Sequence, residues 1–217
     1  EAGKGLQAGL EALGATAAGM IVDPKRPTIQ KTRIMARNQQ MLRVDRENPA
    51  AVSDAVAEQL LQELLNAPWE ALILSDYGKG ALSQVVVTGA LAEARRRGVP
   101  ALVDPKHHDF SRYKGATLIT PNRAEAEAAC GENLTQMNAL GEHGESLRQQ
   151  AGVGALLITL GDQGMYLLED QKSGLHLPTA ARQVYDVTGA GDTVIAMLAV
   201  GLAGGADLPD AVRLSNV

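Results

Sequence analysis

The chain has a single cysteine, Cys130, so no internal disulfide can form, and the reducing cytoplasm is its expected compartment. Aromatic residues make up 3% of the sequence, with one Trp and one Phe, and the net charge is -5. A nucleic-acid surface needs a basic field and stacking rings, so neither DNA nor RNA is an expected partner. Apolar runs are short and broken by glycine, and no signal peptide opens the chain, so no membrane partner is expected. The Gly-Lys-Ser/Thr ending of a Walker loop is missing. So are internal repeats, low-complexity tracts and charge blocks. The four histidines, His107, His108, His143 and His176, do not have the spacing of a metal site, and Cys130 reads as a small core residue.

What is present organises around a parallel sheet. At 217 residues the chain is long enough for one sizeable core, and one main domain over 1–217 is expected. It starts without Met inside a helical pattern (Leu6, Leu10, Leu13) and stops inside another at 211–214, so a piece of a longer chain is expected. Segments 71–74, 101–103, 117–120 and 155–159 are short apolar runs, and helical returns separate them. That is the signature of a parallel sheet covered on both faces. Segment 165–169 and the residues around His176 read as antiparallel edge strands, with Lys172-Ser173-Gly174 as their turn. Upstream, 17–22 and 28–45 read as strands, the latter turning near Asn38. Period-2 alternation puts Lys31, Arg33 and Arg37 on one face. That basic face is either a solvated surface or a lid whose guanidinium groups meet an anionic substrate.

Polar residues recur just after the strand ends: Asp76, Lys106, Asn122 and Glu125. Ligands of open parallel sheets bind at that edge. The stretch Asp186-Val187-Thr188-Gly189-Ala190-Gly191-Asp192-Thr193 then runs into the apolar helical window 194–203. Its glycines leave the main chain bare, and the first amides of the following helix have no intrahelical partner, so the loop reads as an anion cradle. Asp192 at its mouth can either cap the helix or take a proton from a substrate hydroxyl. Asn122-x-x-Glu125 can be a capping pattern or two ligands sharing a hydrated magnesium ion. Lys106 can meet phosphates or be an exposed loop lysine. Thr159, Gly161 and Gly164 can shape a nucleotide shelf or be simple turn residues.

Taken together, Ser75-Asp76-Tyr77-Gly78-Lys79-Gly80, Asp104-Pro105-Lys106, Asn122-x-x-Glu125, Thr159-Leu160-Gly161-x-x-Gly164 and the 186–193 loop resemble the ribokinase-like sugar kinases. More narrowly, Thr32 to Asp45 and Phe110 to Thr117 resemble the heptose 7-phosphate kinase domain of lipopolysaccharide-core precursor synthesis. In many bacteria that domain is fused to an adenylyltransferase. The resemblance implies an α/β, ribokinase-like fold, mostly parallel with helices on both faces, plus a small β lid within 17–45. It implies ATP and Mg2+, with K+ beside Asp186, and Asp192 as general base with Gly189, Ala190 and Gly191 around the transferred phosphoryl group. Asn122, Arg123, Ala124, Glu125, Lys106, Thr159, Gly161, Gly164 and Asn216 would line the nucleotide side. Arg33, Arg37, Gln40 and Arg43 would contact a sugar phosphate. A homodimer is the implied assembly, and the family's N-terminal sugar contacts and part of its adenine pocket are expected outside the given sequence. Two alternatives stay open: a kinase for another sugar or nucleoside, and a noncatalytic ligand-binding module of the same fold.

Overall fold

The computed structural model describes residues 1–37, 39–170, 172–179 and 189–216, and its chain divides into two units, Glu1–Ala67 with Lys79–Ser83 and Pro68–Gly78 with Gln84–Val217. In the first unit, helix α1 (Ala2–Ala12) buries none of its residues and ends before Gly14, whose φ is +76°. Strands β1 (Gln30–Ala36) and β2 (Gln39–Arg46) pair antiparallel. Helix α2 (Asp54–Asn66) starts at Ser53, whose hydroxyl accepts from the Val56 amide.

Two expectations fail in this unit. Residues 17–22 do not form a strand: the Met20 amide closes a turn on the Ala17 carbonyl at 3.0 Å, and no described strand pairs with the segment. An apolar run without a ladder partner has nowhere to satisfy extended backbone groups, so it folds on itself at Gly19. Arg37 does not share a face with Lys31 and Arg33. It lies beyond the end of β1 at φ +55°, where strand alternation has stopped. The pairing itself makes a two-faced ribbon: Thr32 with Val44 and Ile34 with Leu42 on one side, Lys31 with Asp45 and Arg33 with Arg43 on the other. The expected turn at Asn38 lies outside the described residues.

The second unit builds the sheet. Strands β3 (Leu72–Ser75), β4 (Ala101–Asp104), β5 (Leu118–Ile119) and β6 (Ala155–Thr159) run parallel, and β7 (Met165–Glu169) and β8 (Leu175–Leu177) add antiparallel, in the order β3-β4-β5-β6-β7-β8. Alternation on β6 divides the core. Ala155 and Leu157 join a buried cluster with Ile195, Leu198 and Ala199 of α6 (Ala190–Ala203) and Ala211 and Val212 of α7 (Leu208–Ser215). Ile158 faces α5 (Met137–Ala151), where Gly144 packs so closely on Leu168 that an added Cβ would stand 2.5 Å from its methyl group. Helix α3 (Gln84–Arg97) and α5 both touch a 3-10 turn, Phe110–Tyr113, whose two aromatic rings are buried. Helix α4 (Arg123–Cys130) completes this face and ends at Gly131, φ +74°. The expected sheet, mostly parallel and covered by helices on both faces, is thus formed. Among the described residues no helix is long and apolar enough to cross a membrane.

The turn after β6 shows why its glycines are needed. Gly161 has φ +63° with open space where a side chain would go, whereas at Gly164, φ +89°, a Cβ would fall 2.0 Å from the Leu177 carbonyl oxygen. Gly161→Ala should therefore cost about 1–2 kcal/mol, the left-handed penalty alone. Gly164→Ala meets immovable backbone and should cost at least about 3 kcal/mol. Urea unfolding of both variants checks the order; equal losses would contradict it.

Candidate active site

The parallel strands deliver their polar ends to one cavity of about 270 Å³, lined by Tyr77, Asp104, Lys106, Thr120, Asn122, Glu125, Thr159, Gly189, Gly191, Asp192 and Val194. All of these residues belong to the second unit. Gly189 caps α6 at φ +79°, a conformation glycine adopts without strain, and the helix begins at Ala190. Gly191 and Asp192 accordingly sit within the first helical turn, not in a loop before it. Backbone bonding starts with the Thr193 amide, which donates to the Gly189 carbonyl at 2.9 Å. The amides just before it have no partner within the helix. A Cβ on Gly191 would meet nothing within 4 Å, so the backbone there is open to an approaching anion.

The opposite wall is α4. Asn122 and Glu125 form a reciprocal capping box: the Glu125 amide donates to Asn122 Oδ1 at 2.9 Å, and the Asn122 amide donates to Glu125 Oε2 at 3.0 Å. The capping alternative is therefore realised. Glu125 Oε1 also accepts from Lys106 Nζ at 2.6 Å, which raises the lysine pKa. In this state Lys106 neutralises Glu125. A carboxylate still has lone pairs left after these bonds, so capping and contact with a hydrated ion are compatible.

Among the cavity residues without a role in the sequence reading, Asp104 and Tyr77 stand out, one at a strand end and one just beyond another. Asp104 closes β4, and its carboxyl is pushed up to about 6, first by burial, then by the negative charges of Glu125 and Asp192, with Lys106 opposing. The Tyr77 hydroxyl donates to Asp192 at 3.1 Å and 3.4 Å from the two carboxylate oxygens. Asp76 turns away from the cavity. It is 4% exposed and accepts from the Gly78 amide at 2.8 Å and the Tyr113 hydroxyl at 2.7 Å.

The remaining sequence candidates lie elsewhere. Arg123 bonds Gln163, and Ala124 is exposed on α4. Gly161 and Gly164 shape the turn after β6, and Asn216 caps α7, its amide donating to the Pro178 carbonyl at 2.7 Å. Arg33, Gln40 and Arg43 lie on the ribbon of the first unit, with Arg37 beside it. Asp186 is outside the described residues.

The oxygen donors of Asp104, Asn122, Glu125 and Asp192 suit a hard cation such as Mg2+, whose charge would offset the carboxylates of Glu125 and Asp192 that, after burial, raise the Asp104 pKa. Among the described residues no group of three or more ligating side chains is gathered to hold a metal directly. Mg2+ commonly keeps several waters, so contact through water suits it.

Asp104 also gives a pH test. Its folded-state pKa lies above the ordinary 3.8, so the folded protein keeps a proton that the unfolded chain has released. Stability is lost as pH rises from about 4 through about 6. Asp104→Asn cannot titrate, so it should gain on wild type across that window in magnesium-free buffer. Urea unfolding at several pH values checks this; parallel curves would contradict it.

Residues 1–217 match the model of the pfkB family carbohydrate kinases. The bifunctional protein HldE of Pseudomonas aeruginosa strain LESB58 is 47% identical over 217 residues, 100% of this chain and 45% of its own length. That of Trichlorobacter lovleyi is 43% identical over 206 residues, 94% of this chain and 42% of its own. The chain thus spans less than half the length of these relatives. Among solved structures, phosphofructokinase-2 from Escherichia coli in complex with potassium superposes with a TM-score of 0.81 at 20% identity, covering 98% of this chain and 69% of that one. Arabidopsis thaliana ribokinase complexed with ribose and ATP gives 0.71 at 20% identity, over 95% and 68%. These two likenesses establish the ribokinase-like fold, and the match over the whole sequence establishes the family: the chain belongs to the pfkB family carbohydrate kinases.

Proposed function

We propose that this chain is the kinase part of an enzyme that transfers a phosphoryl group from ATP to the anomeric hydroxyl of a heptose 7-phosphate, giving the 1,7-bisphosphate. The observation that carries the reading is the placement of Asp192 in the first turn of α6, on a cavity it shares with Asn122, Glu125 and Lys106. Asp192 accepts the proton of the anomeric hydroxyl as that oxygen bonds to the γ-phosphorus of ATP, and ADP departs with the β,γ-bridging oxygen as its bond to that phosphorus breaks. The open amides of Gly189, Ala190 and Gly191 hold the charge on the transferred group. Mg2+, when bound, neutralises phosphate charge, and Asn122 and Glu125 would hold it through water.

The heptose assignment rests on the resemblance of the 32–45 and 110–117 segments, and two facts support it. The relatives at 43–47% identity are bifunctional proteins of greater length, as expected for a kinase fused to an adenylyltransferase. On the ribbon, Arg33 stands directly across from Arg43, two cations of which Asp45 neutralises one by pairing with Arg43 at 2.9 Å. Arg33, Arg37, Gln40 and Arg43 are accordingly proposed to recognise the phosphate already on the substrate. A cytoplasmic homodimer, with K+ beside Asp186, belongs to the same proposal. One structural neighbour is a tetrameric form of phosphofructokinase-2, so assembly is within this fold's range.

Asp192→Asn in the full-length protein should lower kcat roughly 10²- to 10⁴-fold with KM for ATP nearly unchanged, because a base acts in the transition state. Steady-state kinetics with ATP and heptose 7-phosphate checks this. A variant within about twofold of wild type would remove Asp192 from the chemistry.

A further inference from the structure

We infer that Tyr77 is a positioning residue: its hydroxyl orients the Asp192 carboxylate for proton abstraction, from a loop that the buried Asp76 holds rigid. The inference rests on the proposed role of Asp192 and adds to it the group that aims the base.

The geometry begins one residue earlier. Asp76 is buried at the end of β3, where an unpaired carboxylate would be costly, and it is held by the Gly78 amide and the Tyr113 hydroxyl, with Arg112 and His107 at 3.9 Å and 3.7 Å. These bonds fix the backbone immediately before and after Tyr77, and Gly78 turns it at φ +63°. The alternation Ser75 out, Asp76 in, Tyr77 out then sends the phenol toward the cavity. Tyr77 remains 50% exposed, so burial in the core is not what this ring contributes.

Across the cavity its oxygen lies 3.1 Å and 3.4 Å from the two oxygens of a carboxylate 115 residues away in sequence. A donor within reach of both oxygens restrains rotation of the carboxylate plane, which otherwise turns freely in a short exposed side chain. The contact is longer than the usual O–H···O bond, so what it supplies is orientation of the carboxylate rather than a strong bond. Burial, followed by the bond to Asp192, raises the phenol pKa, and a hydrogen bond with Ser75 opposes the rise. Tyr77 therefore remains a protonated donor at neutral pH and is not itself a base. The other charged groups lining the cavity are Asp104, Glu125 and Lys106, and Lys106 is engaged by Glu125, so among the described residues Tyr77 is the side-chain donor seen on Asp192.

Tyr77→Phe removes the hydroxyl and keeps the ring. In the full-length protein it should lower kcat roughly 3- to 20-fold, the range for losing a hydrogen bond to a charged acceptor at a half-exposed site. KM for ATP and for the sugar phosphate, and the thermal midpoint, should hold. In an Asp192→Asn background the same substitution should change kcat less than about twofold, because the carboxylate it serves is gone. Wild-type kcat in Tyr77→Phe, or an equal loss in both backgrounds, would overturn the inference. An active wild type separates this failure from failure of the kinase reading, since a wild-type protein that transfers no phosphoryl group overturns both.

Discussion

Parallel strands end together, and that constraint governs this molecule. Because β3, β4 and β6 run the same way, the residues that follow them converge on one edge, where each strand's backbone also leaves carbonyl or amide groups to be satisfied. Acidic side chains accumulate there: Asp104, Glu125 and Asp192 line one small cavity, against a single lysine. Such crowding is tolerated because the first turn of α6 presents positive amide ends, Lys106 binds Glu125, and Asp104 keeps a proton more readily than usual. The same imbalance is one that a cation would relieve.

Asp76 shows how the edge is stabilised from beneath. It is as acidic as its neighbours, yet it faces the protein, where its bonds to Gly78 and Tyr113 tie the loop after β3 to the 3-10 turn. One carboxylate therefore serves the fold and the next ones serve the cavity, and the difference is set by a single step of strand alternation. Tyr77, between two fixed residues, inherits a direction from that step.

Much of this could be read before any coordinates. The apolar runs at 71–74, 101–103 and 155–159 are strands because they are buried on both faces of a parallel sheet. The 186–193 motif pointed to the start of α6. Other features needed the fold. Residues 17–22 look like a strand, but a strand is made by its partner, and none is present among the described residues. Alternation placed Arg37 with Arg33 until the chain left the β region. Asn122 and Glu125 satisfy a capping box and a magnesium site with the same spacing, so spacing alone could not separate them. Asp104 and Tyr77 were visible inside recognisable motifs, yet their significance depends on an α6 carboxylate far away in sequence.

The central claim is that this cavity directs a phosphoryl group onto the anomeric oxygen of a sugar that already carries a phosphate. Phosphorus NMR of the products, after the full-length protein has acted on ATP, Mg2+ and heptose 7-phosphate, tests it most directly. The account predicts ADP and a new anomeric phosphate ester formed in equal amounts, with the original ester intact. ATP consumed to ADP and inorganic phosphate with no new ester, or no consumption at all, would contradict it.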